Sequence, residues 1–459
     1  MDGVVTMRFN FVRLALLPCA GPVEMLRYPK TKRQTGSWSW WRRAAVAVSL
    51  SGMMGLLGCS KFSSDVRQSP PATPPATTAP TPSPDPTVIS SATAAPTQQL
   101  LQQSWTAYRQ RFIQADGRVI DREAGDRSTS EGQAYAMLRA VLSDDPSTFA
   151  KTLQWSENNL QRQANGKRTD QLWVWKWGRN EQGPNEPARW GAIDPNFASD
   201  ADVDAITALI LASRRWQKPE YLKLAQAKLQ DLWRFSTVVA GGQRYLLPGP
   251  AAAFQQQTVI QLNPSYFAPY AFRLFAQVDP KHDWLSLVDS SYQALENSAT
   301  LSAVGLPSDW VAVDTTTGEF QPLPLSGPLK SQYSFDAYRV WWRVAWDAEL
   351  FDSAPAKAYL QKHLGFLQKQ WRSQQKIPAT FDLSGAPTVS YEATAQYAML
   401  YPAWRLLDPA IATELWQRKL QPQYRNGFWD NNSAYYVQNL AWLGLLPPDT
   451  ISPQLLQPR

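Results

Sequence analysis

Carboxylates set beside apolar and aromatic residues are the parts of this sequence that could do chemistry. The first lies in Ser128-Thr129-Ser130-Glu131-Gly132-Gln133-Ala134-Tyr135-Ala136-Met137-Leu138. At helical spacing Glu131, Ala134, Tyr135, Leu138 and Leu142 share one stripe, so Glu131 would open an apolar face. Burial there would raise its pKa and keep it protonated near neutral pH, as a general acid requires. The competing reading is a capping box, with Ser128 and Glu131 closing a helix start. The second constellation is Ala198-Ser199-Asp200-Ala201-Asp202-Val203-Asp204, running into an apolar stretch to Ala212. A helix dipole favours aspartates at its start. Yet Asp200 and Asp204 stand one turn apart on a shared face, which is unfavourable unless a ligand or cation relieves them. The third is Asp336 in Tyr333-Ser334-Phe335-Asp336-Ala337-Tyr338-Arg339-Val340-Trp341-Trp342. Its spacing from Arg339 fits a structural ion pair, or an aspartate held ionised so that it can act as a base.

Aromatic residues crowd the same stretches: Trp173, Trp175 and Trp177, Tyr266 in Asn263-Pro264-Ser265-Tyr266-Phe267, and Tyr435-Tyr436. Most tryptophans of a helical domain belong to its core. Those in loops suit the flat, amphipathic face of a pyranose. Other chemistries find less support. The only histidines, His282 and His363, cannot make a His-rich zinc site. No G-x-S-x-G elbow, Walker A sequence or G-x-G-x-x-G occurs, so neither a metal nor an organic cofactor is implied. Abundant carboxylates and aromatics point toward sugars.

Helix-period patterns must supply the elements that carry these groups. They predict helices over 99–115, 131–143, 146–163, 201–217, 219–237, 263–277, 281–300, 332–350, 353–373, 391–407, 410–421 and 433–445. Short β-prone pieces such as Tyr245-Leu246-Leu247 and Thr258-Val259-Ile260 fall between them. About twelve helices with so little strand make an all-α chain, either an α/α barrel or a solenoid, and the lack of a fixed-period repeat weakens the solenoid.

The net charge of +7 is misleading until it is located. Residues 1–59 carry eight Lys+Arg against two Asp+Glu, so the rest is almost neutral and offers no footprint for nucleic acid. Arg42-Arg43 followed by an apolar run from Ala44 to Gly58 reads as an export signal, starting at Met1 or Met25. Its ending, Leu56-Leu57-Gly58-Cys59, looks like a lipobox, with Cys59 as the lipid-bearing residue. An ordinary signal peptide or an uncleaved anchor is the plainer alternative. The expected location is the cell envelope, periplasm or outer membrane, tethered by that lipid, or else secreted. Cys19 and Cys59 are the only cysteines, so the folded part must do without disulfides. Nine prolines between Pro70 and Pro96 make 60–98 a spacer. Residues 99–459 are then expected to form one monomeric domain.

Taken together, Ser130-Glu131-Gly132-Gln133-Ala134-Tyr135-Ala136-Met137, Ala198-Ser199-Asp200-Ala201-Asp202, Asn263-Pro264-Ser265-Tyr266 and Phe335-Asp336-Ala337-Tyr338-Arg339 resemble glycoside hydrolase family 8. Gly117-Arg118-Val119-Ile120-Asp121 and the Tyr435-Tyr436 helix support the resemblance, which covers about residues 105–445. It implies an (α/α)6 barrel and an inverting endo-β-1,4-glucanase acting on a polysaccharide or oligosaccharide, with Glu131 as proton donor and Asp336 as general base. Asp200 would grip the distorted sugar, and Tyr266 and Arg339 would line its subsite. Trp175, Asp202 and Tyr436 complete the expected substrate contacts. Ala205-Ile206 departs from the family's usual Ile/Met-Ala order, a change confined to helix packing. A xylanase or other β-glycanase of the family is the nearest alternative. A non-catalytic glycan-binding envelope protein is the more distant one.

Overall fold

The computed structural model describes residues 86–180 and 189–457, with side chains from residue 98 onward. The expected leader, Cys59 and the spacer up to residue 85 lie outside the described residues. In chain order the helices are α1 (Pro86–Phe112), α2 (Ser130–Leu142), α3 (Pro146–Asn159), α4 (Ser199–Trp216) and α5 (Pro219–Ser236). Then follow α6 (Ala251–Phe254), α7 (Pro269–Val278), α8 (Trp284–Thr300), α9 (Tyr338–Phe351) and α10 (Ala354–His363). The last are α11 (Gly365–Gln374), α12 (Thr394–Leu407), α13 (Pro409–Leu415), α14 (Tyr435–Leu445) and α15 (Pro453–Leu456).

Packing sorts these helices into two rings. α2 lies on α4, α4 on α7, α7 on α9, α9 on α12, α12 on α14, and α14 returns to α2, closing an inner ring of six. α1, α3, α5, α8, α10 and α13 each back one inner helix from outside. Residue type explains the division. α4 is buried almost all round, with Ala201, Ala205, Ala208 and Ala212 among its small contacts. A helix apolar on every side must be internal. α5 buries Ala225, Leu229 and Leu232 on one stripe, as a surface helix does. Thus the predicted (α/α)6 barrel is present.

Loop length fixes the direction of the inner ring. Five of the six inner helices pass to their outer partners through a few residues: 143–145, 217–218, 279–283, 352–353 and Asp408; the sixth, α14, is backed by α1 from the front of the described chain. Such short links require antiparallel neighbours. Asp144, Gln217 and Asp352 turn the corner in the left-handed region, at φ 53°, 56° and 53°. Each return runs through a long loop, so all six inner helices begin at the same end, beneath those loops. The loops hold the strands. Ser128–Thr129, Lys176–Asn180 and Arg189–Asp194 form one antiparallel sheet, and Gln255–Gln256, Val259–Leu262, Val311–Asp314 and Phe320–Pro322 another.

All twelve predicted helices have a counterpart, with five differences, one being that the helix expected over 410–421 ends at Leu415 and continues as a π turn, Trp416–Leu420. α1 begins at Pro86 rather than at residue 99, where the prolines thin out into an alanine-containing stretch up to Pro96. The 353–373 segment divides at Leu364 into α10 and α11, beside Gly365. A 3₁₀ turn, Pro264–Tyr266, precedes α7, and α9 starts only at Tyr338. Both late starts leave site residues in turns. Strands are more numerous than the sequence suggested, thirteen among the described residues, yet none exceeds seven residues. No helix among the described residues is long and apolar enough to cross a membrane.

The α12–α14 contact is the tightest test of this packing. A Cβ on Gly444 would stand 2.0 Å from the Ala398 carbonyl oxygen of α12. Gly444→Ala should therefore cost about 1–3 kcal/mol through overpacking, more than the helix propensity it gains, at most about 1 kcal/mol. A melting temperature lowered by several degrees is expected; an unchanged or raised one contradicts the close approach.

Candidate active site

The charged residues meet at the N-terminal end of the inner ring. In α2 the cap is Thr129, whose Oγ1 accepts the Gly132 N–H at 3.0 Å. Ser128 is occupied elsewhere: its Oγ donates to the Val119 carbonyl at 2.6 Å and accepts from Arg118 Nε at 2.9 Å. The capping-box reading of Ser128 and Glu131 is thereby ruled out, and Glu131 is free to face inward. In α4 the residue ahead of the helix, Ala198, offers no side-chain cap, and Asp200 Oδ1 accepts the Ala201 N–H at 2.9 Å. Asp336 projects from the turn just before α9, and Arg339 from its first turn.

One guanidinium gathers all three carboxylates. Arg339 Nη1 donates to Asp200 Oδ2 at 2.7 Å and to Glu131 Oε2 at 3.1 Å, while Nη2 donates to Asp336 Oδ1 at 2.8 Å. The Arg339 and Asp200 side chains are only 1% and 4% exposed, whereas Glu131 and Asp336 keep 13% and 14%. The two groups cast as acid and base are therefore the ones a substrate can reach. A turn deeper, Arg343 binds Asp204 through both nitrogens, Nη2 to Oδ2 at 2.8 Å, and also meets the Tyr270 hydroxyl. Thus two arginines one turn apart on α9 relieve the like-charge pair Asp200/Asp204.

A single buried cation cannot neutralise three anions, and proton affinities divide accordingly. Burial pushes the Glu131 carboxyl up to about 8, with Asp200 adding to the rise and Arg339 and Tyr435 opposing it. Glu131 thus holds its proton at neutral pH. Burial also raises Asp336, while Arg339 pulls it back toward ionisation. Burial works against the charge on Arg339 itself, but the surrounding phenols and carboxylates outweigh it and raise its pKa.

Most of the sequence-predicted contacts converge here. The Tyr266 ring lies under the Arg339 guanidinium, 5.2 Å from ring centroid to Cζ. Tyr436 donates its hydroxyl to the Phe335 carbonyl at 3.0 Å, next to Asp336. Trp175, half-buried, accepts the Ser130 N–H at 3.0 Å and donates to the Asn196 carbonyl at 2.8 Å, so its backbone ties the approaches to α2 and α4 together. Asp202 is the correction. It lies two positions from Asp200, on another face of α4, fully buried, where it accepts the Trp173 N–H at 3.3 Å. Burial raises its carboxyl to about 8, and it is a neutral packing group rather than a sugar contact. Two contacts were missed. Tyr435 donates its hydroxyl to Glu131 Oε1 at 2.8 Å, and Trp310 Nε1 donates to Asp336 Oδ2 at 3.1 Å. The Tyr435-Tyr436 pair was visible in sequence, but adjacent residues point different ways. Trp310 sits in a loop without periodicity, where no signal marks it. Among the described residues no cluster of His, Cys, Asp and Glu could hold a metal ion.

The Tyr435 bond generates a test. It favours the Glu131 carboxylate, so its loss should raise the Glu131 pKa further. An acid must be protonated to work, and activity falls as pH rises through its pKa. Tyr435→Phe should therefore move the basic limb of the kcat/KM profile, near pH 8 in the native chain, to higher pH. An unmoved or lowered limb contradicts the assignment.

Comparison with known proteins agrees with this geometry. The profile of glycosyl hydrolases family 8 matches residues 86–446. An endoglucanase of Xanthomonas axonopodis pv. citri is 36% identical over 312 residues, covering 66% of this chain and 76% of that one. An endoglucanase of Cellulomonas uda is 32% identical over 285 residues, 62% of this chain and 74% of that one. Among solved structures, the endo-1,4-D-glucanase of Vibrio fischeri ES114 superposes with a TM-score of 0.65 at 28% identity, covering 74% of this chain and 93% of that one. A cold-adapted family 8 xylanase superposes with a TM-score of 0.63 at 19% identity, covering 80% and 94%, a likeness of fold alone. With its carboxylates gathered at the open end of a six-pair helical barrel, the chain belongs to glycosyl hydrolases family 8 and is a glycoside hydrolase.

Proposed function

We propose that the chain is an endo-β-1,4-glucanase that hydrolyses cellulose or a related β-glucan with inversion, Glu131 acting as general acid and Asp336 as general base. The observation that carries this reading is the single guanidinium, Arg339, shared by three carboxylates. It leaves one partly exposed carboxyl protonated and another drawn toward ionisation. Glu131 gives its proton to the glycosidic oxygen as the bond to the anomeric carbon breaks. Asp336 takes a proton from the water that attacks that carbon from the opposite face. Each transfer contributes roughly 10²–10⁴-fold. An inverting pair stands about 6.5–9.5 Å apart to admit that water, against about 5–5.5 Å in a retaining pair. Asp200 holds the guanidinium with one oxygen and the Ala201 N–H with the other, and the lone pair left on each oxygen is available to grip the distorted sugar.

Relatives above 30% identity that are named endoglucanases favour a β-1,4-glucan over xylan. Glu131→Gln keeps the hydrogen-bonding shape and removes the acid. It should lower turnover of cellohexaose by at least about 10²-fold while still binding it. NMR of fresh product from the native enzyme should show the α-anomer first. Retained turnover in the variant, or a β-anomer first, contradicts the mechanism.

The export and anchoring of the enzyme are part of the same proposal. Arg42-Arg43, the apolar run to Gly58 and the Leu-Leu-Gly-Cys ending support a lipid group on Cys59 that tethers the catalytic domain to the envelope. Membrane fractions should contain a mature chain beginning at Cys59 with acyl mass added, and Cys59→Ala should abolish that mass. A mature chain starting elsewhere or lacking acyl groups sinks the anchor.

A further inference from the structure

The base needs a fixed position; the Arg339 guanidinium holds one oxygen of its carboxylate, but not the backbone that carries it. Asp336 lies ahead of α9, where the helix starts without a side-chain cap. A further restraint comes from Asp309, earlier on the same long loop between α8 and α9 that carries Asp336. Its Oδ1 accepts the N–H of Ser334 at 3.1 Å and the N–H of Ala337 at 2.9 Å, the residues that bracket Phe335-Asp336. Its Oδ2 accepts from Gln332 Nε2 at 3.3 Å and bonds the Ser334 hydroxyl. The next residue, Trp310, donates its indole N–H to Asp336 Oδ2 at 3.1 Å. Its ring is braced in turn by Phe254, stacked at 5.9 Å and 7°.

We propose that Asp309 is the positioning residue of the base: its carboxyl clamps the backbone on both sides of Asp336 while Trp310, carried on the same dipeptide, holds the carboxylate itself. The proposal rests on the reading of Asp336 as base. Asp309 is 5% exposed and touches backbone and side chains of this one turn, so it acts through Asp336 rather than on the sugar. Burial, with the charge of Asp336, pushes the Asp309 carboxyl up to about 7. Protonation would leave the clamp intact. A hydrogen on Oδ2 can go to the Ser334 hydroxyl while Oδ1 still accepts both N–H groups. An asparagine can do the same with its amide.

The test compares Asp309→Ala, Asp309→Asn and Trp310→Phe in the full chain, with kcat and KM on cellohexaose and thermal unfolding for each. A carboxylate displaced by about 1 Å loses on the order of 10²-fold in rate. Asp309→Ala should therefore lower kcat about 10²-fold with KM within about threefold, and Asp309→Asn should recover most of that loss. Trp310→Phe keeps the ring and deletes the N–H, and should lower kcat about tenfold; it reads the clamp even where Asp309→Ala fails to fold. Full kcat in a folded Asp309→Ala or in Trp310→Phe overturns the proposal. So does an Asp309→Asn variant that falls as far as the alanine. Asp336→Asn separates the two layers. If it retains hydrolysis, the base assignment has failed; if it is inactive while Asp309→Ala is fully active, only the clamp has.

Discussion

Three carboxylates sharing one buried guanidinium is the constraint from which the rest of this enzyme follows. A lone cation in a dry site can compensate two anions at short range, but a third carboxyl must keep its proton or leave. Asp200 and Asp336 take the shorter contacts, 2.7 and 2.8 Å, and Glu131 the longer one at 3.1 Å. The proton therefore stays on Glu131, and the proposed acid and base are told apart by charge balance. No metal or cofactor is needed for that distinction, because Arg339 is always charged.

The barrel makes this arrangement possible. Short links at one end force every inner helix to start at the other, so residues distant in sequence arrive together at the ends of α2, α4, α9 and α14. Helix starts are also where negative charge costs least, since free N–H groups and the dipole favour it. Asp200 uses this directly through the Ala201 N–H. The polar seam continues inward as Arg343, Asp204 and Tyr270, so the axis of the barrel is held by paired charges rather than left as a void. The long return loops then bring Tyr266 and Trp310 against the charged cluster.

The sequence was most legible where a residue lay on a periodic stripe. Glu131 opening an apolar face, Asp200 one turn from Asp204, and Asp336 one turn from Arg339 could all be read from spacing, and each is at the site. What spacing could not show was a partner on another helix. Whether Arg339 served Asp336 alone or all three carboxylates depended on closure of the ring. Asp202 failed for a related reason: a two-residue step turns a helix by about 200°, so a neighbour in sequence faces elsewhere. Asp309 and Trp310 were missed because they sit in a loop, where neither period applies and long-range contacts alone assign a role. Tyr435 was passed over for Tyr436, though it is the Tyr435 hydroxyl that bonds Glu131. The twelve helices of the two rings were predictable, whereas the short extra helices and the many short strands were not, the strands because they depend on pairing between loops.

The central claim is the uneven sharing of protons around Arg339, and it can be measured without turnover. Carboxyl-labelled glutamate, titrated by carbon-13 NMR in the native chain and in Glu131→Gln to identify the resonance, reports the protonation of Glu131 directly. A carboxyl that is neutral at pH 7 and titrates near 8 is the expected result. A Glu131 that is already ionised at pH 6, titrating near its ordinary value of 4.5, would contradict the account.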